Sequence, residues 1–193
     1  KLNFKFKKKN ILVTFHPVTL QQDFGKKDFL KCLKVLKQFK KFGIIFTLPN
    51  SDVSNNFFRQ KIKKFVNSNK NSKFYESLGK EIYLSVLNYF DCMIGNSSSG
   101  ILESAAFKLP VINIGDRQAG RGTNKNILHI SEDFSERNLK NMIIKTTSLG
   151  FKKKLKGVRD LNYRKNTSKK IINILKKINI DKINKKIFYD IKF

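Results

Sequence analysis

Residues 92–100 read Cys-Met-Ile-Gly-Asn-Ser-Ser-Ser-Gly, a short apolar run followed by a turn rich in glycine and serine. The next residues, 101–107, carry apolar side chains at helical spacing. A buried strand that enters a helix through such a turn is typical of a layered α/β sheet, where ligands bind beyond the carboxyl ends of the strands. This stretch therefore predicts the fold class and the edge of the sheet at which a site lies.

The same alternation of short apolar runs and helical segments continues along the chain. Strands are predicted at residues 11–15, 43–48, 92–95, 111–115 and 127–130, with a further short strand at 73–75. Helices are predicted at residues 26–42, 53–67, 81–90, 99–107, 135–147 and 167–178. This order predicts an α/β fold with a Rossmann-like, doubly wound parallel sheet and helices on both faces.

Length and composition bound the class of protein. A chain of 193 residues that is 40% hydrophobic can bury one sizeable core, so residues 1–178 are predicted to form one domain, followed by a Lys- and Ile-rich tail at 179–193. The tail is interpreted either as a loosely docked extension or as an arm that contacts a partner. No apolar run approaches the roughly 18 residues of a membrane helix, and no apolar signal-peptide core follows residues 1–9, which predicts a cytoplasmic protein without membrane contact.

Two further features concern completeness and redox state. Residue 1 is Lys rather than Met, so we expect that an upstream part of the protein is missing. Cys32 and Cys92 lie in apolar stretches without metal-ligand spacing, which predicts buried reduced thiols and no metal site.

The formal net charge of +27 raises the possibility of a nucleic-acid-binding protein. Only six of the 41 basic residues are arginine, and the lysines are dispersed over solvated helix faces such as residues 26–41. Proteins that read nucleic-acid sequence concentrate arginine, whose planar fork recognises phosphate and guanine edges. We therefore expect nucleic acid to bind only non-specifically, at low salt.

Four predicted loops follow strands and contain side chains suited to anions. In the first, residues 14–19, the strand stops at His16, which is either aimed at a ligand anion or an ordinary satisfied histidine. The second, residues 48–52, contains Asn50 and Asp52 and also fits a turn followed by a helix N-cap.

The third and fourth loops have the more distinctive composition. Ser97 and Ser98 precede a helix, where free backbone N–H groups, hydroxyls and the helix dipole favour an anion. Glu103 follows about one turn later and could accept hydrogen bonds from ribose hydroxyls. The alternative is a serine-capped helix with an exposed glutamate. The fourth loop, residues 115–122, holds Arg117 between glycines and suits phosphate binding.

Together these loops resemble the hydrolysing UDP-N-acetylglucosamine 2-epimerases of sialic-acid and legionaminic-acid pathways. The matching runs are His16-Pro17-Val18-Thr19, Pro49-Asn50-Ser51-Asp52, Gly95-Asn96-Ser97-Ser98-Ser99-Gly100 with Glu103, and Pro110 to Gln118 with Gly120-Arg121. They occur in order and with compatible spacing within roughly residues 11–178. Four agreeing motifs are more specific than any single one.

The resemblance implies a fold and a set of ligands. The family has two Rossmann-like domains that face a cleft, the glycosyltransferase-B arrangement, and the C-terminal domain holds most of the UDP. The chain resembles that C-terminal half, so the N-terminal domain and its proton-transfer carboxylates are expected to be absent and the chain alone inactive. The implied ligands are UDP and a UDP-amino sugar, with no cofactor, and the complete protein is expected to be a homo-oligomer.

The resemblance also implies that seven side chains face the substrate. These are the catalytic residue His16, which touches the diphosphate, and the substrate-binding residues Asn50, Asp52, Ser97, Ser98, Glu103 and Arg117. The two serines would bind phosphate, Glu103 the ribose, and Arg117 the nucleotide and its surrounding loop. Asn50 and Asp52 would line the cleft near the nucleotide.

The implied reaction converts UDP-N-acetylglucosamine to N-acetylmannosamine and UDP, by elimination of UDP and addition of water. Three alternatives stay open: a hydrolysing epimerase of UDP-diacetylbacillosamine, a glycosyltransferase of the same fold, and a non-catalytic polyanion-binding protein. Residues 53–56 and 161–163 depart from the family pattern and have no assigned role.

Overall fold

The computed structural model describes residues 2–49 and 54–179. The predicted substrate contacts Asn50 and Asp52 lie outside the described residues, as does the predicted tail beyond residue 179. The chain divides into two compact units, Lys1–Leu161 and Asn162–Phe193. The predicted domain limit at residue 178 stays a prediction.

The first unit is built on six parallel strands. They are β1 (Asn10–Thr14), β2 (Gly43–Thr47), β3 (Ser72–Tyr75), β4 (Cys92–Gly95), β5 (Val111–Ile114) and β6 (Ile127–Ile130). Their order in the sheet is β3-β2-β1-β4-β5-β6, and every neighbouring pair is parallel. This is the doubly wound order of Rossmann-like domains, so the predicted fold class is confirmed.

The described residues of the first unit contain six α-helices. They are α1 (Lys26–Leu36), α2 (Asn55–Ser68), α3 (Gly79–Leu87), α4 (Ser98–Leu102), α5 (Glu136–Thr146) and α6 (Leu149–Leu155). A short 3₁₀ helix, Ser104–Phe107, follows α4. Helices α1 to α4 connect the successive parallel strands β1 to β5, as crossover connections do. Residues 115–126 join β5 to β6 without an α-helix, and α5 and α6 follow β6.

Helices cover both faces of the sheet. Ile11 and Val13 of β1 belong to the buried cluster that contains the apolar side chains of α1, α2 and α5, whereas Leu12 belongs to the cluster of α3 and α4. Successive residues of a strand point to opposite faces, so the two clusters are the two sides of one sheet. Both sides being buried explains why the strands read as continuous apolar runs.

The strand order reverses between β1 and β4. Thr14, the last residue of β1, pairs with Thr47 on one side and Gly95 on the other. The connections that leave β1 and β4 cross over opposite faces of the sheet, and their divergence opens a crevice beyond the carboxyl ends. The fold therefore places the loops after β1 and β4 next to each other.

The observed helices differ from the predicted ones at several points; the helix predicted at 26–42, for example, ends at Leu36. The helix predicted at 99–107 ends at Leu102, and Ser104 begins a 3₁₀ turn in which its hydroxyl donates to the carbonyl of Gly100 at 2.6 Å. Helix α6 was not predicted, because glycine and three consecutive lysines hide its apolar pattern. Its start is capped by Ser148, whose hydroxyl accepts from the amide of Phe151 at 3.2 Å.

The second unit contains α7 (Thr167–Leu175), three residues shorter than predicted. Its N-cap position is Asn166, whose side chain makes no capping hydrogen bond. No helix in the described ranges is long and apolar enough to cross a bilayer.

Both cysteines are buried in the first unit as free thiols, as predicted. Burial raises the pKa of Cys32 and of Cys92 to about 12.

Candidate functional site

The carboxyl end of β4 approaches β1 more closely than a side chain permits. Gly95 has φ +140°, and a Cβ placed on it would lie 1.9 Å from the carbonyl oxygen of Thr14. Asn96 follows, and its amide donates to the same carbonyl at 3.2 Å. Glycine is therefore required at position 95, since any other residue would force the two strand ends apart.

Asn96 joins the loop after β4 to the loop after β1. Its side chain is fully buried and hydrogen bonds twice to the backbone of His16: Oδ1 accepts from the His16 amide at 2.7 Å, and Nδ2 donates to the His16 carbonyl at 2.8 Å. Only an amide side chain offers an acceptor and a donor in this geometry. Asn96 thus fixes the position of the His16 backbone.

The loop after β5 is held at the same point. The carbonyl oxygen of Asn96 accepts from Nε2 of Gln118 at 2.8 Å and from Nη1 of Arg117 at 3.3 Å. We call Asn96 and its three partners His16, Gln118 and Arg117 the loop junction. It brings together three of the four loops that the sequence singled out.

The start of α4 is organised by its serines. Ser97 is the N-cap, and its hydroxyl accepts from the amide of Ser99 at 3.3 Å. The Ser99 hydroxyl donates to Oε2 of Glu103 at 2.6 Å and also contacts the hydroxyl of Tyr83. The Glu103 carboxylate is therefore oriented by its own helix.

Tyr83 completes this chain of contacts from α3. The pKa of Tyr83 is raised to about 12, chiefly by burial; the hydrogen bond with Ser99 opposes the increase and the nearby Glu103 carboxylate adds to it. The phenol is therefore neutral at physiological pH and remains able to donate a hydrogen bond.

A cavity of about 500 Å³ lies beyond the carboxyl ends of β1 and β2 and is bounded by α3. His16 and Glu103 line it, together with Thr14 and Thr47, whose hydroxyl oxygens are 2.6 Å apart. This volume lies within the range of small-molecule sites in proteins.

Charged groups also line the cavity. Arg59 and Glu76 form an ion pair of 2.7 Å between Nη2 and Oε1, and Lys80, at the start of α3, belongs to the same lining. The cavity therefore offers both hydrogen-bonding hydroxyls and cations to a ligand. In the described part of the chain, no group of three or more His, Cys, Asp or Glu side chains could hold a metal.

The predicted site residues fall into three groups. His16 and Glu103 line the cavity, whereas Ser97 and Ser98 lie at the start of α4 and Arg117 on the Asn96 carbonyl, outside the lining. Asn50 and Asp52 are not described, although the cavity wall extends to residue 49.

Sequence reasoning missed the roles of Asn96, Ser99, Gln118 and Tyr83. Asn96, Ser99 and Gln118 belong to the quoted motifs, so their position in a loop after a strand could have identified them as candidate site residues. Tyr83 lies on a helical segment outside every motif, and its contact with Ser99 could not be inferred without the fold.

Comparison with known proteins supplies the context for this geometry. The family described as UDP-N-acetylglucosamine 2-epimerase matches residues 1–176. The GDP/UDP-N,N'-diacetylbacillosamine 2-epimerase (hydrolyzing) of Campylobacter jejuni is 37% identical over 192 residues, which cover 98% of this chain and 49% of the relative. The UDP-N-acetylglucosamine 2-epimerase of Neisseria meningitidis is 31% identical over 141 residues, covering 70% and 35%.

Solved structures agree on the fold. The Methanocaldococcus jannaschii UDP-GlcNAc 2-epimerase, crystallised in complex with UDP-GlcNAc and UDP, matches with a TM-score of 0.65 at 13% identity, over 87% of this chain and 45% of that protein. The chain thus has the fold of one Rossmann-like half of such a glycosyltransferase-B-like protein. It spans about half the length of the Campylobacter relative, and a smaller share of the Neisseria and Methanocaldococcus proteins.

Proposed function

This chain belongs to the UDP-N-acetylglucosamine 2-epimerase family, and we propose that it is the C-terminal, UDP-binding half of a hydrolysing 2-epimerase for a UDP-linked 2-acetamido sugar. The observation that supports the proposal is the cavity beyond the carboxyl ends of β1 and β2, next to the switch point of the sheet. His16 lines it where β1 ends, and Glu103 lines it at the end of α4. These are two positions of the family motifs, brought together from 87 residues apart in the sequence.

In this proposal the nucleotide lies across the loops after β1 and β4. Glu103, already oriented by Ser99, accepts hydrogen bonds from the ribose hydroxyls. His16, Ser97 and Ser98 contact the diphosphate, and Arg117 supports it from the loop after β5. Asn50 and Asp52 remain proposed contacts near the nucleotide.

The chemical role proposed for this half is to stabilise the departing UDP. In the elimination step negative charge develops on the diphosphate, and preorganised donors stabilise that charge in the transition state. The loop junction fixes His16 through two backbone hydrogen bonds, so little reorganisation is needed there. Proton transfer at C2 and C1 of the sugar is assigned to carboxylates of the N-terminal half, so this chain alone is proposed to be inactive.

The proposed binding of UDP is tested by titrating the chain with UDP in a calorimeter at moderate salt. We expect saturable binding that Glu103→Ala weakens at least about tenfold, because hydrogen bonds to a charged group contribute roughly 1.5–3 kcal/mol each. Glu81→Ala is the matched control, since Glu81 is exposed and its loss changes the net charge equally. GDP is titrated in parallel, because the Campylobacter relative is named for both nucleotides.

The same experiment separates the proposal from a polyanion-binding protein. A Ser97→Ala/Ser98→Ala variant is expected to weaken UDP binding while excess DNA leaves it unchanged. Binding that DNA abolishes, and that Lys37→Ala reduces as much as Glu103→Ala does, would contradict a nucleotide site and favour charge alone.

The identity of the sugar in the substrate is a separate question, and a second candidate substrate has specific support. The relative named for diacetylbacillosamine is 37% identical over 98% of this chain, against 31% over 70% for the one named for UDP-N-acetylglucosamine. We therefore propose UDP-diacetylbacillosamine as an alternative substrate to UDP-N-acetylglucosamine. Both would use the nucleotide contacts described above.

Product analysis of the complete enzyme decides between these substrates. Each UDP sugar is supplied separately, and we expect one of them to yield a free 2-epimerised sugar and UDP at the higher kcat/KM. Release of UDP only when an acceptor is present, with no free sugar, would identify a glycosyltransferase and refute the hydrolysing reaction.

A further inference from the structure

Glu103 is the exposed member of a chain of three side-chain contacts at the candidate nucleotide cavity. An exposed glutamate samples several rotamers unless a hydrogen bond selects one, and that freedom is lost when a ligand binds. The Ser99 hydroxyl supplies such a bond, since it donates to Oε2 of Glu103 at 2.6 Å. The orientation of the proposed ribose contact therefore depends on how firmly Ser99 itself is held.

The direction of these hydrogen bonds follows from the number of protons. A serine hydroxyl has a single proton and a carboxylate only accepts, so the proton of Ser99 is committed to Glu103. In the contact between the Tyr83 and Ser99 hydroxyls, Tyr83 is then the donor. The phenol keeps its proton for this purpose, because its pKa is raised to about 12. The order of donation thus runs from Tyr83 through Ser99 to Glu103.

Tyr83 is held by a different part of the fold. It lies on α3, and its half-buried ring packs against the apolar cluster that contains Met93 and Ile101. Its hydroxyl also lies 3.8 Å from Sδ of Met93, but a thioether sulfur is a weak acceptor and does not compete with the Ser99 oxygen. The contact with Ser99 therefore ties α4 to a side chain whose position the core fixes.

The chain of contacts ends in the cavity. Tyr83 and Glu103 belong to the cavity lining, whereas Ser99 is not part of its described lining. A carboxylate has about four lone-pair sites, so Glu103 can accept from Ser99 and from ligand hydroxyls together. Donation from Tyr83 polarises the Ser99 hydroxyl and strengthens its bond to Glu103, because consecutive hydrogen bonds reinforce one another. The carboxylate is thus preorganised to accept from neighbouring hydroxyls, such as those at C2′ and C3′ of ribose.

We propose that Tyr83 is a positioning residue for the nucleotide: by donating to Ser99, it holds the Glu103 carboxylate in the orientation that accepts the ribose hydroxyls. This inference rests on the proposed nucleotide site. It adds a residue that no motif of the family contains, since Tyr83 lies on α3 outside all of them. A hydroxyl with a purely structural role would affect all nucleotides alike, whereas a positioning hydroxyl affects those that carry the ribose hydroxyls.

The test compares UDP with 2′,3′-dideoxyuridine diphosphate, which lacks both ribose hydroxyls, in calorimetric titrations of the chain. We expect the unsubstituted chain to bind UDP at least about tenfold more tightly, because a charged acceptor distinguishes the two ligands. Tyr83→Phe keeps the ring and removes the hydroxyl. It is expected to reduce that preference about three- to fivefold, while the affinity for the dideoxy nucleotide stays within about twofold. Ser99→Ala removes the middle hydroxyl and is expected to reduce the preference at least as much.

Tyr89→Phe is the matched control, because it removes the same hydroxyl from an exposed tyrosine outside the cavity lining and should leave the preference unchanged. In a Glu103→Ala background, Tyr83→Phe is expected to have no further effect on the affinity for UDP, since the two side chains act through one contact.

The outcomes separate this inference from the nucleotide site on which it rests. A preference for UDP that Tyr83→Phe leaves intact would overturn the role of Tyr83 while the site stands, and so would an equal loss of affinity for both nucleotides. Equal binding of the two nucleotides by the unsubstituted chain would overturn the ribose contact and this inference with it. Absence of UDP binding would overturn both the nucleotide site and the role of Tyr83.

Discussion

Replacing Gly95 with alanine is expected to lower the free energy of unfolding by about 4 kcal/mol or more, which few single substitutions do. The added Cβ would lie 1.9 Å from the Thr14 carbonyl oxygen and 2.7 Å from its carbon, and both are backbone atoms in the middle of the sheet. Neither can move without separating β4 from β1, and φ +140° disfavours any side chain in addition. Urea unfolding followed by circular dichroism measures the loss.

Two other glycines serve as controls for this substitution. Gly122→Ala adds the same methyl group in open space and is expected to change stability by less than about 1 kcal/mol. Gly120→Ala adds it in open space at φ +78°, so its cost of roughly 1–2 kcal/mol isolates the backbone strain. A Gly95→Ala protein no less stable than Gly120→Ala would show that the strand ends tolerate separation.

The fold was predictable because a parallel sheet buried on both faces requires strands that are apolar throughout. Strands β1, β2, β4 and β5 are short apolar runs, and the helices between them show three and four spacing. Even the edge strand β3 was located, at residues 72–75 rather than 73–75. The observed ends of the helices and strands differ from the predicted ends by one to several residues where local capping determines them, as where α4 ends at Leu102.

The sequence indicated a composition for the candidate site, but it did not reveal the contacts that build it. Glycine, serine and arginine in loops after strands indicated an anion site, and the carboxyl ends of the strands indicated its location. The sequence does not state that Asn96 pairs with the backbone of a residue 80 positions away. Such a pairing depends on the strand order, since only adjacency of β1 and β4 places these two loops in contact.

Gly95 and Asn96 are expected to contribute both to the stability of the fold and to the proposed nucleotide binding. Gly95 permits the close approach of β4 to β1, and that approach puts the Asn96 side chain within reach of His16. The residues that set the shape of the crevice are thus distinct from those proposed to touch the nucleotide, and their substitution should affect folding and binding together.

Asn96→Asp is expected to lower the free energy of unfolding by about 3 kcal/mol and to weaken UDP binding at least about tenfold. One carboxylate oxygen still accepts from the His16 amide, but the other faces the His16 carbonyl oxygen, to which Nδ2 donated at 2.8 Å. A buried negative charge next to an acceptor costs more than a missing hydrogen bond. Urea unfolding and UDP calorimetry measure the two effects.

Asn138→Asp is the control, because its exposed position in the first turn of α5 places the new charge near a helix N-terminus, where it is mildly favourable. If Asn96→Asp were as stable as this control, the two hydrogen bonds to His16 would contribute nothing to the fold. If stability fell but UDP bound with unchanged affinity, the loop junction would be structural only, and His16 would have no part in holding the diphosphate. Loss of both is expected, because both hydrogen bonds from the Asn96 side chain hold the backbone of His16, which lines the cavity.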